Sequence, residues 1–563
     1  MSKTIISLVL LVSLQFASVA FAQIKPNSYA VSSAHELATE AGLSIMAQGG
    51  NAYDAAVAVS AALAVVEPAS SGIGGGGFWL LQSHDDSISV MIDGREVAPG
   101  AAYRDMYLDE EGNVNRDLAV NGGLAAGIPG APAGWVYIAE NYGTLPLSVL
   151  LAPAIDLAAN GFPADEKYVT LLAMREEVMN RWPETAAIFM PEGSVPEVGD
   201  LIVQTDLANT LRAIVENGRD GFYKGEVAEL LVEGTRAVGG IWTMEDLANY
   251  TVKERTPITT TYKGYELITA PPPSSGGIAI AQMLNLIEAY DIDEMTSVER
   301  THLLSEAMRR AYRDRALYLG DTDFVDVPID LLLSKDYAAG MRTNLRLDRA
   351  TPSSMLADDP DIWPEGNNTT HFSLIDAEGN MVSATLTVNL AYGAAYVPPG
   401  TGVLLNNEMD DFSAKPGAPN AFGLVGFEAN EIEPYKRMLS SMSPTIVRSP
   451  ERVAVIGTPG GSRIITMVFL GLLDFIDGHG PDSWVSLPRF HHQYLPDQIS
   501  IEPDSMSAED VAALEALGHK VQEGRRAWGN MHGVMWDMEA NQMEAAHDPR
   551  WSSGGAEVVP VKR

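Results

Sequence analysis

The sequence predicts a layered fold of strands and long helices, most simply a four-layer sandwich in which two sheets lie between helices. Residues 54–66 are apolar on nearly every side, which is typical of a buried helix, and residues 297–319 have a second helical pattern. The strand-like runs 372–375 and 382–388 flank a turn and predict a hairpin. Because both halves of the chain contain strand-like runs, each half is expected to contribute to a sheet. Periodicity alone leaves α/β and α+β open.

Composition excludes several classes of function. The chain has 563 residues, of which 46% are hydrophobic, and this fits a globular enzyme better than a disordered chain. Its formal net charge of −37 argues against binding to nucleic acid or to anionic membranes, and we interpret the acidity as favouring solubility. Cysteine is absent, so disulfides, thiolate catalysis and cysteine-based metal sites are excluded.

The N-terminus has the pattern of a secretory signal peptide over residues 1–22. Lys3 supplies a positive charge, residues 5–19 are mostly apolar, and Ala20-Phe21-Ala22 is a small-x-small cleavage site before Gln23. The alternative is an uncleaved membrane anchor, for which the apolar run is short. No later stretch approaches 18 uninterrupted apolar residues. We therefore expect a periplasmic or secreted protein that has no membrane association once the signal is removed.

A glycine-rich loop at residues 72–77 separates the first helices from a strand. Helices are expected at 35–46 and 54–66, and a strand at 78–81. Gly72, Gly74 and Gly77 satisfy the spacing of a dinucleotide-binding fingerprint, but that motif needs a strand before the loop and a helix after it. Here the order is reversed, so we expect the glycines to allow close backbone packing.

The rest of the chain alternates between helical and strand-like patterns. Residues 145–235 are expected to be largely helical, and 262–270 to form a strand before the loop 271–277, which is either close to a site or a rigid turn before a helix. Residues 350–368 are polar and rich in proline and aspartate, which predicts an exposed linker. Later strands are expected at 372–375, 382–388, 402–405, 445–447 and 453–456, and a helix at 462–475.

Six motifs of this chain, taken together and in order, are informative. They lie at 74–78, Arg95, 369–371, 406–412, 439–444 and 459–463. The most informative stretch is Asn367-Asn368-Thr369-Thr370-His371-Phe372-Ser373. Together these motifs resemble those of the γ-glutamyltranspeptidase family, and the resemblance extends from about residue 33 to the C-terminus.

The resemblance implies an N-terminal-nucleophile hydrolase fold of the α+β class, a four-layer αββα sandwich. In this family the chain cuts itself before a threonine. The cleavage site would be Asn368–Thr369, giving a large subunit, residues 23–368, and a small catalytic subunit, residues 369–563. The two subunits would remain intertwined as one folded unit, a heterodimer from one precursor.

Thr369 would act as the nucleophile after cleavage. A threonine hydroxyl is a weak nucleophile unless a base takes its proton, and the new α-amine, which titrates near ~7.7, can serve as that base. Thr387 would hydrogen-bond the nucleophile, and Gly460 and Gly461, before a helix N-terminus, would hold the oxyanion. Alternatively, Thr369 is a plain loop threonine and Thr387 is an ordinary β-branched strand residue. The two glycines would then form only a tight strand-to-helix turn.

The substrate would be recognised through the α-amino acid end of a γ-glutamyl group. Arg95 would bind the carboxylate together with Ser440 and Ser441, and the acids Glu408 and Asp411, with Asn389, would bind the ammonium. Alternatively, Arg95 forms a salt bridge to Glu96 or Asp93, and the acidic pair Asp410-Asp411 is a solvated turn or helix cap.

Residues 413–423 resemble the lid loop of some family members. These often have tyrosine at the tip, where this chain has Phe422, so a hydroxyl contact would be lost. His491 and His492 are interpreted as structural, because adjacent residues of a strand point to opposite faces. We expect no metal and no cofactor.

The resulting prediction is an exported γ-glutamyltransferase/hydrolase that acts on glutathione and related amides through a γ-glutamyl-Thr intermediate. Water or the amine of an amino acid or peptide would accept the group. One alternative is a glutaryl or cephalosporin-type acylase of the same fold. The other is an inactive protein that binds γ-glutamyl compounds without cleaving itself.

Overall fold

The computed structural model describes residues 24–356 and 369–561, called here the N-terminal and the C-terminal segment. The predicted signal peptide 1–22, Asn368 and most of the expected linker 350–368 lie outside the described residues. Two large β-sheets lie face to face and form the centre of the molecule.

The strands are short to medium in length. In chain order they are β1 (Ser28–Ser33), β2 (Gly76–Gln82), β3 (Ser89–Gly94), β4 (Phe162–Pro163), β5 (Leu201–Ile202), β6 (Lys253–Arg255), β7 (Ile258–Tyr262), β8 (Tyr265–Thr269), β9 (Thr370–Ile375), β10 (Met381–Thr387), β11 (Thr445–Arg448), β12 (Arg452–Gly457), β13 (Phe490–His491), β14 (Ile499–Ile501), β15 (Val521–Glu523), β16 (His532–Asp537), β17 (Gln542–His547) and β18 (Gly555–Pro560).

The helices range from single turns to six turns. In chain order they are α1 (Glu36–Ala47), α2 (Ala52–Val66), α3 (Arg116–Val120), α4 (Ala131–Asn141), α5 (Leu147–Leu150), α6 (Ala152–Asn160), α7 (Glu166–Ala173), α8 (Glu176–Met179), α9 (Pro183–Phe189), α10 (Thr205–Asn217), α11 (Asp220–Tyr223), α12 (Gly225–Ala237), α13 (Met244–Asn249), α14 (Gly276–Ile287), α15 (Ser297–Tyr318), α16 (Ile329–Leu332), α17 (Lys335–Arg342), α18 (Ile464–Ile476), α19 (Pro481–Ser486) and α20 (Ala508–Ala516).

Both large sheets contain strands from both segments. The seven-stranded sheet has the order β18-β1-β9-β10-β2-β3-β6, so β9 and β10 of the C-terminal segment lie between β1 and β2 of the N-terminal segment. The six-stranded sheet has the order β17-β16-β12-β11-β8-β7, in which only β8 and β7 come from the N-terminal segment. The two segments are therefore intertwined through main-chain hydrogen bonds and share one fold.

Helices cover the outer face of each sheet. Helices α1, α2 and α4 pack on the seven-stranded sheet, and α14, α18 and α19 pack on the six-stranded sheet. The inner faces meet where β9 and β10 contact β12 and β16. The predicted four-layer αββα sandwich is confirmed.

Helix α2 is buried along its whole length, as its sequence predicts. All 15 of its residues are buried. Asn51 caps the helix and forms a capping box with Asp54. The carboxylate of Asp54 also accepts hydrogen bonds from the main chain of Thr144 and Leu145, so its charge is matched by donors inside the core.

Three strand or helix predictions differ from the structure. The predicted strand 402–405 is wrong, since Leu405 forms only an isolated bridge with Gly74. The predicted strand 262–270 corresponds to the turn and second strand of the β7–β8 hairpin. The predicted helix 462–475 begins as a 3-10 turn, Gly461–Arg463, before α18. The run 402–405 instead packs closely against the glycine-rich loop, because a Cβ on Gly74 would lie 2.1 Å from the carbonyl oxygen of Leu404.

The last described part of the N-terminal segment is anchored by the C-terminal segment. The amide of Ser353 donates to Asp497 (2.7 Å) and its hydroxyl donates to the carbonyl of Tyr494 (2.6 Å). The amide of Thr351 donates to Glu306 on α15 (2.9 Å). This end of the segment is therefore fixed by both parts of the chain. Among the described residues, no helix is long and apolar enough to cross a membrane.

Gly457, at the end of β12, provides a test of how the two sheets pack. Its missing side chain leaves room for the ring of His371 on β9, which a Cβ would approach to 2.2 Å. The buried ring is held by Thr385 (2.8 Å) and Ser373 (3.1 Å), so it cannot move freely. We predict that Gly457→Ala lowers the free energy of unfolding by about 1–3 kcal/mol.

The control is Gly340→Ala on α17, where a Cβ would meet nothing within 4 Å. There we expect a gain of about 0.5–1 kcal/mol from helix propensity. Thermal or denaturant unfolding of both variants measures the difference. A Gly457→Ala protein as stable as the parent would contradict this packing of His371.

Candidate active site

Thr369 lies directly before β9 and faces Thr387 across the sheet. The β9–β10 ladder pairs Thr370 with Leu386, so the next position of the same register brings Thr369 opposite Thr387. Opposed residues of an antiparallel pair have Cβ atoms about 5 Å apart. Both threonines are almost completely buried. The hydroxyl of Thr387 accepts a hydrogen bond from the amide of Asn389 (2.7 Å), which orients it at the end of the strand.

Gly460 and Gly461 form the turn between β12 and α18. Their φ angles are +144° and +56°, values that favour glycine. A Cβ on Gly460 would lie 2.5 Å from Met467, and one on Gly461 would lie 2.3 Å from the ring of Phe422. The turn leads through the 3-10 turn Gly461–Arg463 into α18. The main-chain amides at this helix N-terminus can stabilise negative charge.

One cavity, called here the donor cavity after the role predicted for its residues, brings most of the predicted site residues together. A second cavity next to it contains both Thr369 and Gly460. Asn368 lies outside the described residues. The predicted residues that line the donor cavity are Arg95, Thr369, Thr387, Asn389, Glu408, Asp411, Phe422, Ser440, Ser441 and Gly461.

Arg95 is the centre of a buried ion cluster. Its guanidinium pairs with the carboxylates of Glu408 and Asp411 and donates to the carbonyl of Met438 (3.3 Å). Glu96 lies 3.5 Å away. The alternative of a salt bridge from Arg95 to Glu96 or Asp93 describes part of the cluster. Glu96 is an ionic partner of Arg95, but Glu408 and Asp411 lie closer.

Burial dominates the acid–base properties of this cluster. Removal from water raises the pKa of Glu408 well above its ordinary value and raises that of Asp411, and the charge of Arg95 opposes both shifts. The pKa of Glu96 rises to about 7 for the same reason. Neither carboxylate oxygen of Glu96 has a hydrogen-bond partner among the described residues. Three carboxyl groups around one guanidinium cannot all be compensated by its single charge, so one of them is expected to be protonated. Glu96 has the weakest contacts to Arg95 and is therefore the acid that keeps the proton.

Ser440 and Ser441 are held by the N-terminal segment. Ser440 forms a bridge with Ser274, and its carbonyl accepts from the hydroxyl of Ser275 (2.7 Å). Arg315 on α15 donates to Ser275 (3.1 Å) and lies 3.4 Å from the hydroxyl of Ser441. The loop 271–277 is thus both a turn before α14 and a support for the site.

The predicted lid segment, residues 413–423, contacts the donor cavity through Asn420 and Phe422. The side-chain NH₂ of Asn420 donates to the carboxylate of Asp411 (3.1 Å). The side-chain oxygen of Asn420 accepts from the main-chain amide of Phe422 (2.9 Å). The amide of Ala421 donates to Asp410 (2.9 Å). The Phe422 ring is buried beside Gly461. The lid is held by main-chain and amide contacts that need no hydroxyl at its tip.

Sequence reasoning missed three residues that support the site: Glu96, Arg315 and Asn420. The sequence indicates Glu96 only as a possible salt-bridge partner of its neighbour Arg95. Arg315 has a detectable signal, because it lies on the same face of the predicted helix 297–319 as the apolar residues Met308 and Ala311. Asn420 has none, since one asparagine in a Gly/Pro-rich loop is ordinary.

The adjacent histidines have separate partners. His491 hydrogen-bonds Thr466 (2.8 Å) and Gln493 (2.9 Å). His492 lies 3.4 Å from the carboxylate of Asp497. Burial lowers the pKa of His492 to about 4, so it is neutral at physiological pH.

A second histidine cluster has the composition of a metal site but the contacts of a hydrogen-bond network. His302, Glu306 and His519 each offer a ligand atom within 4.8 Å of the others. However, the two rings bond each other (2.7 Å), and Glu306 bonds Arg310 (2.6 Å). Arg309 is also close, 3.5 Å from Glu306. Two guanidinium groups beside these ligands disfavour a bound cation.

Comparisons with known proteins agree with this geometry. The profile of the family described as Gamma-glutamyltranspeptidase matches residues 38–558. The chain is 44% identical over 538 residues to a glutathione hydrolase proenzyme from Pseudomonas sp. (strain A14), covering 93% of each chain. It is 43% identical over 525 residues to that of Escherichia coli (strain K12), covering 92% of this chain and 90% of the relative. The crystal structure of a cephalosporin acylase from Bacillus halodurans superposes with a TM-score of 0.83 at 28% identity, covering 95% of this chain and 96% of that one.

The buried carboxyl of Glu96 predicts a pH-dependent stability difference. In the unfolded chain the carboxyl of Glu96 has its ordinary pKa of 4.5, whereas burial in the folded state raises this pKa to about 7. Folding stability is therefore lost as the pH rises through this window. Glu96→Gln removes this loss. We predict that the variant is more stable than the parent at pH 8.5, by on the order of 2 kcal/mol, with a much smaller difference at pH 4.5.

Unfolding midpoints measured at both pH values test this, with exposed Glu110→Gln as the matched control. A Glu96→Gln variant that is less stable at pH 8.5 would mean that Glu96 is ionised and paired with Arg95.

Proposed function

The chain belongs to the γ-glutamyltranspeptidase family, and we propose that it is an exported, self-processing γ-glutamyltransferase/hydrolase that acts on glutathione and related γ-glutamyl amides. One observation carries the proposal: Thr369 lies directly before β9 and opposite Thr387, at the edge of a cavity that contains one buried guanidinium, two acids and two serines. The names of the relatives support glutathione as the donor.

Self-cleavage would use the Thr369 hydroxyl against the carbonyl of Asn368. The acyl group of Asn368 moves from nitrogen to oxygen, which frees the α-amine of Thr369, and water then hydrolyses the ester. The products are the large subunit, residues 23–368, and the small subunit, residues 369–563. The two sheets keep them together, because each sheet contains strands from both.

Donor binding would exchange contacts within the Arg95 cluster. The α-carboxylate of the γ-glutamyl group would take hydrogen bonds from Arg95, Ser440 and Ser441. The α-ammonium would be placed against Glu408, Asp411 and the side chain of Asn389. An arriving cation lowers the cost of keeping two acids ionised in a buried site, so a zwitterionic donor suits this charge arrangement.

Catalysis would proceed in two halves. The α-amine of Thr369 takes the hydroxyl proton as the oxygen attacks the γ-carbonyl, and the amides of Gly460 and Gly461 stabilise the oxyanion. The proton passes to the leaving amine, and a γ-glutamyl ester remains on Thr369. Water releases glutamate, or an acceptor amine takes the group. Thr387 orients the nucleophile.

Export rests on the N-terminal sequence. Residues 1–22 have the features of a cleavable signal peptide, and we propose a periplasmic or secreted enzyme.

The alternative of a glutaryl or cephalosporin-type acylase is favoured by the similarity to the Bacillus halodurans acylase. A glutaryl group has no α-ammonium, so it would leave Glu408 and Asp411 without a cationic ligand group. The presence of both acids in the cavity therefore favours a γ-glutamyl donor. A non-cleaving binding protein would not need the pair Thr369 and Thr387 or the turn Gly460-Gly461.

The intact masses of the purified protein and of Thr369→Ala after incubation test self-processing. We expect the parent to give two fragments, the smaller starting at Thr369, and the variant to remain whole. A parent chain that stays whole would contradict the proposal and support the binding protein.

Replacement of Glu408 tests the donor assignment. We predict that Glu408→Gln lowers kcat/KM for a γ-glutamyl anilide by about 10²-fold, because a charged contact to the ammonium is lost. Turnover of the matching glutaryl anilide should change far less, so the preference between the two donors narrows. Equal losses on both substrates would show that Glu408 maintains the cavity and does not read the ammonium.

A further inference from the structure

Arg315, on α15, is a buried cation to which the proposed mechanism gives no part. Its guanidinium lies behind the donor cavity, where it donates to the hydroxyls of Ser275 (3.1 Å) and Ser441 (3.4 Å). The residue is only 5% exposed. Within the described part of the chain, no carboxylate forms an ion pair with it. Buried charges are normally paired, so this cation is suited to an anion that the protein does not itself supply.

The two buried guanidiniums near the donor cavity differ in their electrostatic surroundings. Burial by itself lowers the pKa of both. For Arg95 the charges of Glu408 and Asp411 outweigh burial, and the pKa rises above its ordinary value. For Arg315 burial outweighs the opposing influence of Tyr312 and Asp411, and the pKa is lowered. The charge of Arg95 is therefore already compensated by its acids, whereas the charge of Arg315 is not.

The hydroxyls of Ser440 and Ser441 both keep a hydrogen to donate. The Oγ atom of Ser441 accepts from Arg315, and that of Ser440 accepts from the main-chain amide of Met442 (3.1 Å). Neither hydroxyl donates to another group among the described residues. Both serines line the donor cavity. Two adjacent O–H donors suit the two oxygens of a carboxylate.

Ser275 connects Arg315 to the same pair of serines a second time. The hydroxyl of Ser275 accepts from Arg315 and donates to the carbonyl of Ser440 (2.7 Å). One guanidinium thus holds Ser441 through its hydroxyl and Ser440 through its carbonyl. A carboxylate bound by the Ser441 hydroxyl would lie roughly 6 Å from this guanidinium, a distance at which a buried charge still stabilises it.

We propose that Arg315 is a positioning residue that determines donor specificity: acting through Ser275 and Ser441, it supplies the uncompensated positive charge that selects a donor with a free α-carboxylate. This inference rests on the proposed γ-glutamyl function. When Glu96 keeps its proton, two guanidiniums face two ionised acids, Glu408 and Asp411. The summed charge is then zero, which suits a donor whose α-carboxylate and α-ammonium also sum to zero.

The test compares two donors in the self-processed enzyme: a γ-glutamyl anilide, and the same anilide with its α-carboxylate replaced by a carboxamide. Both keep the α-ammonium, so the ratio of their kcat/KM values measures the preference for the carboxylate. We expect Arg315→Gln to lower this ratio at least 10-fold, mainly through a higher KM for the carboxylate donor, because the lost charge acts away from the reacting carbonyl. Arg315→Lys keeps the charge and should keep most of the preference.

The control is Arg300→Gln on the same helix, whose guanidinium pairs with Asp477 (2.9 Å) and which should leave the ratio unchanged. Equal losses on both donors in Arg315→Gln, or a parent without the preference, would overturn the inference, because Arg315 would then only maintain the structure. An Arg315→Lys enzyme that cleaves itself normally but lacks the preference would also overturn it, and this variant decides the matter if Arg315→Gln does not process itself. A parent that cleaves itself but releases aniline from neither donor would refute the proposed function itself, and the inference with it.

Discussion

Pairing between β9 and β10 in the middle of the seven-stranded sheet fixes the position of Thr369, and the other parts of the candidate site are built around that point. The register brings Thr369 opposite Thr387, and the neighbouring sheet brings the Gly460-Gly461 turn from the end of β12. Because β1 and β2 of the N-terminal segment flank this pair, a cut before Thr369 would leave the sheet hydrogen bonds intact. The fold can therefore tolerate a break of the chain directly before Thr369.

The second constraint is electrostatic. A buried guanidinium needs anionic partners, and Arg95 takes them from Glu408 and Asp411. The same acids are the groups that an α-ammonium would need, so the residues proposed to bind the donor also stabilise the buried guanidinium. Glu96 is a third acid of this cluster, and its burial favours the protonated, neutral form of its carboxyl. The proposed recognition of the donor and the stability of the core would thus depend on one cluster.

Much of the fold and the site could be predicted from the sequence, for physical reasons that differ from residue to residue. The all-apolar pattern of α2, the hairpin around residues 376–380 and the motif around Thr369 have local signals. The run 402–405 has the local pattern of a strand, but tertiary packing against Gly74 leaves it a single bridge. Arg315 and Asn420 contact Ser441 and Asp411 of the donor cavity from distant parts of the chain. No spacing in the sequence shows that they meet there. The roles of the site residues stay predictions.

The most direct measurement is the mass of the acylated enzyme, trapped by rapid acid quenching during turnover of a γ-glutamyl donor and then digested. The account predicts one added γ-glutamyl group, on the peptide that begins with Thr369. A γ-glutamyl group on any other residue, or turnover without a trapped adduct when release is made rate-limiting, would contradict the assignment of Thr369 as the nucleophile.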